Sequence, residues 1–298
     1  MKLGHAAAVL IGSVALVHGV ARAAEPTVSH FKSSSPWELS PGGDSCVLSR
    51  NFESGAASLF LRMRTYAPGY NFDFTLAGSP IPQITSAKAP TITFGSGNPL
   101  RFGVLASGSS GAHGPAMVFN RDMSLQPPAL DDKTVPAYPD PALESGIDRF
   151  TIDAADHKVL LDTGSMAPVM QALRQCTDKL VAGWGLDPAV QAKLSRPPRP
   201  VNASAVNAMI VAGDPPAAVK ALGGLARVGL RVMIDETGAP TGCKTFPTDG
   251  VPEFDVKACN FVMKNARYDP ALDEQGKAVS SYLLTAIVFA TSDFFRSR

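Results

Sequence analysis

The chain has 298 residues, a formal net charge of +1, and 45% hydrophobic against 18% charged residues. That is enough apolar material for two modest cores, and the near-neutral balance gives no electrostatic reason to bind nucleic acid or an anionic lipid surface as a whole. Four cysteines, Cys46, Cys176, Cys243 and Cys259, lack both a C-x-x-C knuckle and nearby histidines, which argues against zinc and for disulfides in an oxidising compartment.

Residues 1–23 read as a secretory signal cleaved after Ala23: Lys2, an apolar run over 6–20, then small Ala21 and Ala23. The run is broken by Gly12, Ser13 and His18 and is shorter than the roughly 20 residues a span needs. A periplasmic location follows, the alternative being an inner-membrane anchor facing the periplasm. Loss of Lys2 and Arg22 leaves a mature charge of −1.

Residues 24–45, rich in Ser, Pro and Gly around Trp37, read as an extended lead-in. Leu59, Leu61 and Met63 alternate with Phe60, Arg62 and Arg64, Pro68-Gly69 makes a turn, and Phe72, Phe74 and Leu76 alternate again, which predicts a β-hairpin. Short strands are expected over 91–94, 100–105 and 116–119, with a turn at Gly108-Ser109-Ser110-Gly111, irregular chain over 126–146, and a strand pair over 148–152 and 158–161. Val169, Leu173, Cys176, Leu180 and Trp184 fall on one helical face, so Cys176 points inward, with Ser165 as the expected N-cap. Residues 24–194 are thus expected to form a β-rich N-terminal domain with one packed helix, and a Pro-rich linker is expected over 195–213. Two cysteines lie before the expected linker and two after it, so the spacing favours Cys46 with Cys176 and Cys243 with Cys259.

Beyond the linker, 215–222 is expected as a short helix, and Val228, Leu230, Val232 and Ile234 alternate as a half-buried strand. Asp235-Glu236-Thr237-Gly238 turns the chain into a second strand over 241–246. Pro252 opens a helix whose expected inner stripe is Val256, Cys259, Met263 and Ala266, and a last strand follows in which Tyr282, Leu284, Ala286 and Val288 alternate with Leu283, Thr285, Ile287 and Phe289.

This order, with Gly223-Gly224 before the first strand, the Val232–Gly238 turn pattern, Phe254-Asp255 opening the helix, and Ala266-Arg267-Tyr268-Asp269-Pro270-Ala271, resembles the C-terminal domain of the TonB family over 214–289. Its two cysteines resemble a disulfide-bearing branch. The resemblance implies a small α/β domain over 214–298 (hairpin, helix, final strand), an α+β chain overall, and a protein or peptide partner, an outer-membrane transporter among them. It also implies strand addition on the last strand at Tyr282, Leu283, Leu284, Thr285, Ala286 and Ile287. Edge strands expose unpaired N–H and C=O groups that suit such augmentation. An envelope structural or homodimerisation module is the alternative.

Asp162-Thr163-Gly164 resembles an aspartic-protease active-site strand, a third reading. That chemistry needs two carboxylates sharing a proton, and the chain has one such string, so Asp162, Thr163 and Ser165 are expected to cap the following helix instead. No Gly-x-Ser-x-Gly elbow occurs, His30, His113 and His157 read as surface residues, and Trp37 and Trp184 read as packing anchors. The expectation is a non-enzymatic protein without cofactors.

Overall fold

The computed structural model describes residues 26–69, 71–87, 89–125, 141–203, 219, 225–246 and 252–291. The expected signal, all of 126–140, and all of the 215–222 helix except Val219 lie outside them. The fold is α+β, with two hydrophobic cores.

The first core belongs to an eleven-stranded sheet. Its strands are β1 (Thr27–Ser33), β2 (Glu38–Pro41), β3 (Cys46–Ser54), β4 (Ala57–Thr65), β5 (Asn71–Gly78), β6 (Thr91–Phe94), β7 (Leu100–Arg101), β8 (Val104–Ser109), β9 (Pro115–Ser124), β10 (Arg149–Ala154) and β11 (His157–Asp162). They run in the order β7-β6-β10-β11-β1-β3-β4-β5-β9-β8, with β2 added beside β3. The expected hairpin is β4 with β5, and its alternation sends Leu59, Leu61 and Met63 inward and Phe60, Arg62 and Arg64 outward. Phe74 of β5 stacks on Phe94 of β6, and its ring meets Phe150 of β10 edge-on, although these strands lie far apart in the sheet order. The sheet therefore curls, and the rings fill its interior.

Three expectations change here. Residues 24–45 are not a lead-in: β1 sits in mid-sheet, parallel to β11 and antiparallel to β3, and β2 pairs with β3. Phe31 is the one buried side chain of β1, so periodicity carried almost no signal, and backbone pairing on both sides holds the strand. The stretch 100–105 divides at buried Phe102, and Gly108-Ser109 lie inside β8, the turn falling at Gly111–His113. His113 stacks on Phe60 with centroids 4.3 Å apart. Within 126–146, the short helix α2 (Pro141–Glu144) follows α1 (Ile81–Ser86) in chain order, and its Glu144 is buried in an ion pair with Arg174.

Helix α3 (Ala167–Gly183) crosses the sheet, burying Met170, Leu173, Cys176, Thr177 and Val181, and Cys176 is bridged to Cys46. The expected capping is corrected. Ser165 Oγ accepts from Ala167 N at 3.4 Å, but Asp162 is still in strand register and pairs with Arg149 at 3.6 Å. The Thr163 hydroxyl donates to the Gly164 carbonyl, and its own carbonyl accepts from Trp37 Nε1 and an Arg50 guanidinium N–H.

The second core lies between β13 (Leu225–Ile234), β14 (Pro240–Thr245), β18 (Ser281–Ala290) and the helix α5 (Pro252–Asn265). The sheet order is β14-β13-β18, all antiparallel. The helix is turned from its expected stripe: Phe254, Ala258, Val262 and Ala266 face inward at steps of four, whereas Val256 is 61% exposed. The large Phe254 ring takes the core position and rotates Val256 to solvent. Cys259 lies at the flank, half-buried, bridged to Cys243 of β14. In the β13–β14 turn, Asp235 Oδ1 accepts from Thr237 N and Ala239 N. Gly238, at φ +86°, lies where a Cβ would come within 2.0 Å of the Tyr268 carbonyl oxygen, so the turn and the chain after α5 touch through a bare backbone.

The described part of the expected linker is docked, not free. After α4 (Pro188–Gln191), Ser195 Oγ donates to the Asp273 carbonyl, Arg196 Nη2 donates to that of Pro270, and β12 (Arg199–Pro200) pairs with β15 (Tyr268–Asp269). Asn202 Nδ2 donates to the Asn265 carbonyl at the end of α5 while its Oδ1 accepts from Arg267 N. The short strands β16 (Ala271–Leu272) and β17 (Ala278–Val279) lead into β18.

Candidate functional site

The candidate site is β18, and its register decides what each side chain can do. Leu225 to Ile234 pair one for one with Ala290 to Ser281. Residues opposite one another share a face, so Leu283, Thr285 and Ile287 lie with Val232, Leu230 and Val228 toward α5, and Ile287 is 5% exposed. Tyr282, Leu284, Ala286 and Val288 share the other face with Met233, Arg231, Gly229 and Arg227. Leu284 and Val288 are 38% and 41% exposed. β13 occupies one side of β18; among the described residues no strand occupies the other.

The second face of this sheet is covered in part by the N-terminal part of the chain, which leaves Leu284 and Val288 exposed. The Arg231 guanidinium lies 4.0 Å from the Trp184 ring centroid, and its Nη2 lies 3.7 Å from Asp44 Oδ1. Lys244, directly opposite Arg231 in the register, reaches the second Asp44 oxygen at 3.5 Å. Burial draws the Arg231 pKa down and Asp44 opposes it, so the cation is held by a carboxylate and a π-face in place of water. Phe246 folds back over Gly229, where a Cβ would stand 3.1 Å from its ring, and stacks on Tyr66 at 4.0 Å. Trp184 also meets Tyr282 edge-on at 4.9 Å, and burial pushes the Tyr282 hydroxyl pKa upward.

Of the six residues expected to meet a partner, the structure therefore puts Tyr282 against Trp184, Leu283 and Ile287 on the α5 side, and Leu284 outward, with Thr285 and Ala286 half-buried. Both disulfides pair as the spacing favoured, one on each core. Sequence reading missed Asp44, Tyr66, Arg231 and Gln191, whose Nε2 donates to the Ser280 carbonyl and whose Oε1 accepts from Ser281 Oγ, as contacts between the two parts. The signal was present in Arg231, which with Arg227 sets two cations on one face of an otherwise apolar strand. Among the described residues no cluster of three or more His, Cys, Asp or Glu could hold a metal, and no helix is long and apolar enough to cross a membrane.

Residues 216–291 match the family model of the Gram-negative bacterial TonB protein C-terminal. The last quarter of the chain is a TonB-like C-terminal domain. No curated protein matches the chain. The matched segment holds β13, β14, α5 and β18, so the TonB-like domain carries the open edge, and the eleven-stranded sheet lies outside the match.

Proposed function

We propose that this chain is a non-enzymatic envelope protein, exported to the periplasm, with one domain before its Pro-rich segment and a TonB-like domain after it. The TonB-like domain binds an extended segment of a protein partner by strand addition to β18, with residues Tyr282 to Ile287 at the contact. The partner class the family suggests is an outer-membrane transporter. The observation that carries this reading is a ten-residue strand hydrogen-bonded along one side and unpaired by any described strand on the other. Such an edge presents alternate N–H and C=O groups for main-chain affinity, and Leu284 and Val288 supply apolar contact for selectivity.

The test is capture of outer-membrane proteins by the whole oxidised chain, against Leu284→Asp and Val288→Asp. Both variants replace half-exposed side chains, so the fold is retained, and captured transporter is expected to fall at least tenfold. Equal capture by all three proteins refutes strand addition at this edge. A second reading, self-pairing of β18 in a homodimer, rests on the same exposed apolar pair. Sedimentation of the whole chain reports it as a doubled mass that Val288→Asp returns to a monomer.

A further inference from the structure

Two rows of the β4–β5–β9–β8 register cross the outer face of the eleven-stranded sheet. One is Arg62, Thr75, Val118 and Ala106; the next is Phe60, Ala77, Ala116 and Gly108. In both rows the long side chain stands on β4 and small ones fill the other three strands, so the face drops away beside Arg62 and Phe60. The Gly111–His113 turn between β8 and β9 leans back over this low ground, since His113 stacks on Phe60, two strands away from β9. Ala77 is 0% exposed although it faces outward. The Arg62 wall and the turn bound an open groove of about 310 Å³, whose lining includes Arg62, Thr75, Ser109, Ser110, Ala116 and Val118.

The polar side chains of the groove are one cation and several hydroxyls, and no carboxylate lines it. Arg62 Nη2 donates to Thr75 Oγ1 at 3.0 Å, its one hydrogen bond to the described residues, so most of the guanidinium fork is unspent. Arg64, two residues on along the same face, has its Nε buried without a hydrogen-bond partner among the described residues. Asp73 stands opposite Arg64 and outside the lining. Burial lowers the Arg62 pKa and Arg64 lowers it further, against Tyr66 and Asp73, which raise it. The guanidinium is thus a cation short of water, and an oxyanion completes it. We propose that this groove binds a small hydroxylated oxyanion, of the class of sugar acids and sugar phosphates. Arg62 grips the anionic group through its fork, Thr75, Ser109 and Ser110 meet the hydroxyls, and Ala116 and Val118 underlie the carbon skeleton. The volume lies at the low end of the roughly 300 to 1,000 Å³ typical of small-molecule sites, which favours a ligand of one ring. Such a site gives the N-terminal sheet a binding role of its own, separate from strand addition at β18.

The test is a nuclear magnetic resonance titration of the whole oxidised chain with D-glucuronate and with D-glucose 1-phosphate, against D-glucose and inorganic phosphate. Saturable amide shifts centred on Thr75, Ala106, Ala116 and Val118 are expected with at least one of the two acids, and the tighter of them tells carboxylate from phosphate. Neutral glucose, which lacks the charge, and inorganic phosphate, which lacks the hydroxylated body, are each expected to bind at least about tenfold more weakly. Arg62→Gln keeps a donor for Thr75 but removes the charge, and is expected to weaken binding at least about tenfold, with Arg62→Lys in between. Gly108→Val fills the groove from β8, where an added Cβ meets nothing within 4 Å, and is expected to abolish the shifts in a chain whose other amide signals stay in place. These two variants act from different strands, so a folding defect in one does not decide the result. Absence of shifts with both acids at tens of millimolar overturns the proposal. So does binding of glucose or inorganic phosphate as tight as that of the acids, or affinity unchanged in both Arg62→Gln and Gly108→Val.

Discussion

Removal of the two disulfides, one pair at a time, should have unequal costs. Cys46–Cys176 spans 130 residues and Cys243–Cys259 spans 16. In the chain-entropy relation, crosslinks of these lengths restrict the unfolded ensemble by about 5 and about 3 kcal/mol respectively at 25 °C. Cys46 is fully buried beside α3, so its replacement by alanine adds on the order of 1 kcal/mol of lost packing. Cys46→Ala/Cys176→Ala is therefore expected to cost about 6 kcal/mol, comparable to the whole stability of many domains, and Cys243→Ala/Cys259→Ala about 3 kcal/mol. Native-state hydrogen exchange read by mass spectrometry measures the two cores separately, through peptides covering β4 and β13. Each pair should lower the opening free energy mainly in its own core. A loss below about 1 kcal/mol for either pair, or a larger loss for the short loop than for the long one, refutes the reasoning.

Gly238→Ala places a methyl group against the Tyr268 carbonyl at positive φ and is expected to destabilise the C-terminal core by at least about 2 kcal/mol, measured by urea unfolding. The Asp235 carboxyl is held below its ordinary value of 3.8 by hydrogen bonds from Thr237 and Ala239. A depressed folded-state pKa means its contribution is present above the unfolded value and is lost as pH falls through the folded one, so the β13–β14 turn should loosen below about pH 4 and Asp235→Asn should flatten that dependence, read by amide exchange of Ala239. Asp162 and Arg149 form a pair with each side chain 47% exposed, so Asp162→Ala is expected to change stability by less than about 1 kcal/mol. Pepstatin-sensitive peptide cleavage at acid pH that Asp162→Ala abolishes would restore the protease reading.

Where the sequence was legible, one face of an element was buried and the other wet. β4, β5 and β13 form as their alternation predicts, because a two-residue period survives any tertiary arrangement that covers one side, and β10 and β11 form as the strand pair expected over 148–152 and 158–161. β1 escaped notice because its stability comes from backbone bonds on both sides, which leave no mark on side-chain spacing. The α5 stripe was misread by a fraction of a turn because several apolar residues compete for the inner face, and the size of Phe254 decided between them. The open edge of β18 followed from chain order and family resemblance. What covers the second face of its sheet did not, since Asp44, Tyr66 and Trp184 meet Arg231 and Phe246 across more than a hundred residues of chain in two of three cases, and no local pattern encodes such a meeting.

The parallel pairing of Thr27–Lys32 with His157–Asp162 has a kinetic meaning. A chain delivered from its N-terminus onward presents the first of these strands long before the second, and the β1 slot stays half-empty until some 130 residues have followed. Folding of this half is therefore governed by its latest arrival, with a slow, non-local closure step and an interval in which the β1 backbone lies open, along the side that β11 later fills, to any holdase that recognises extended chain.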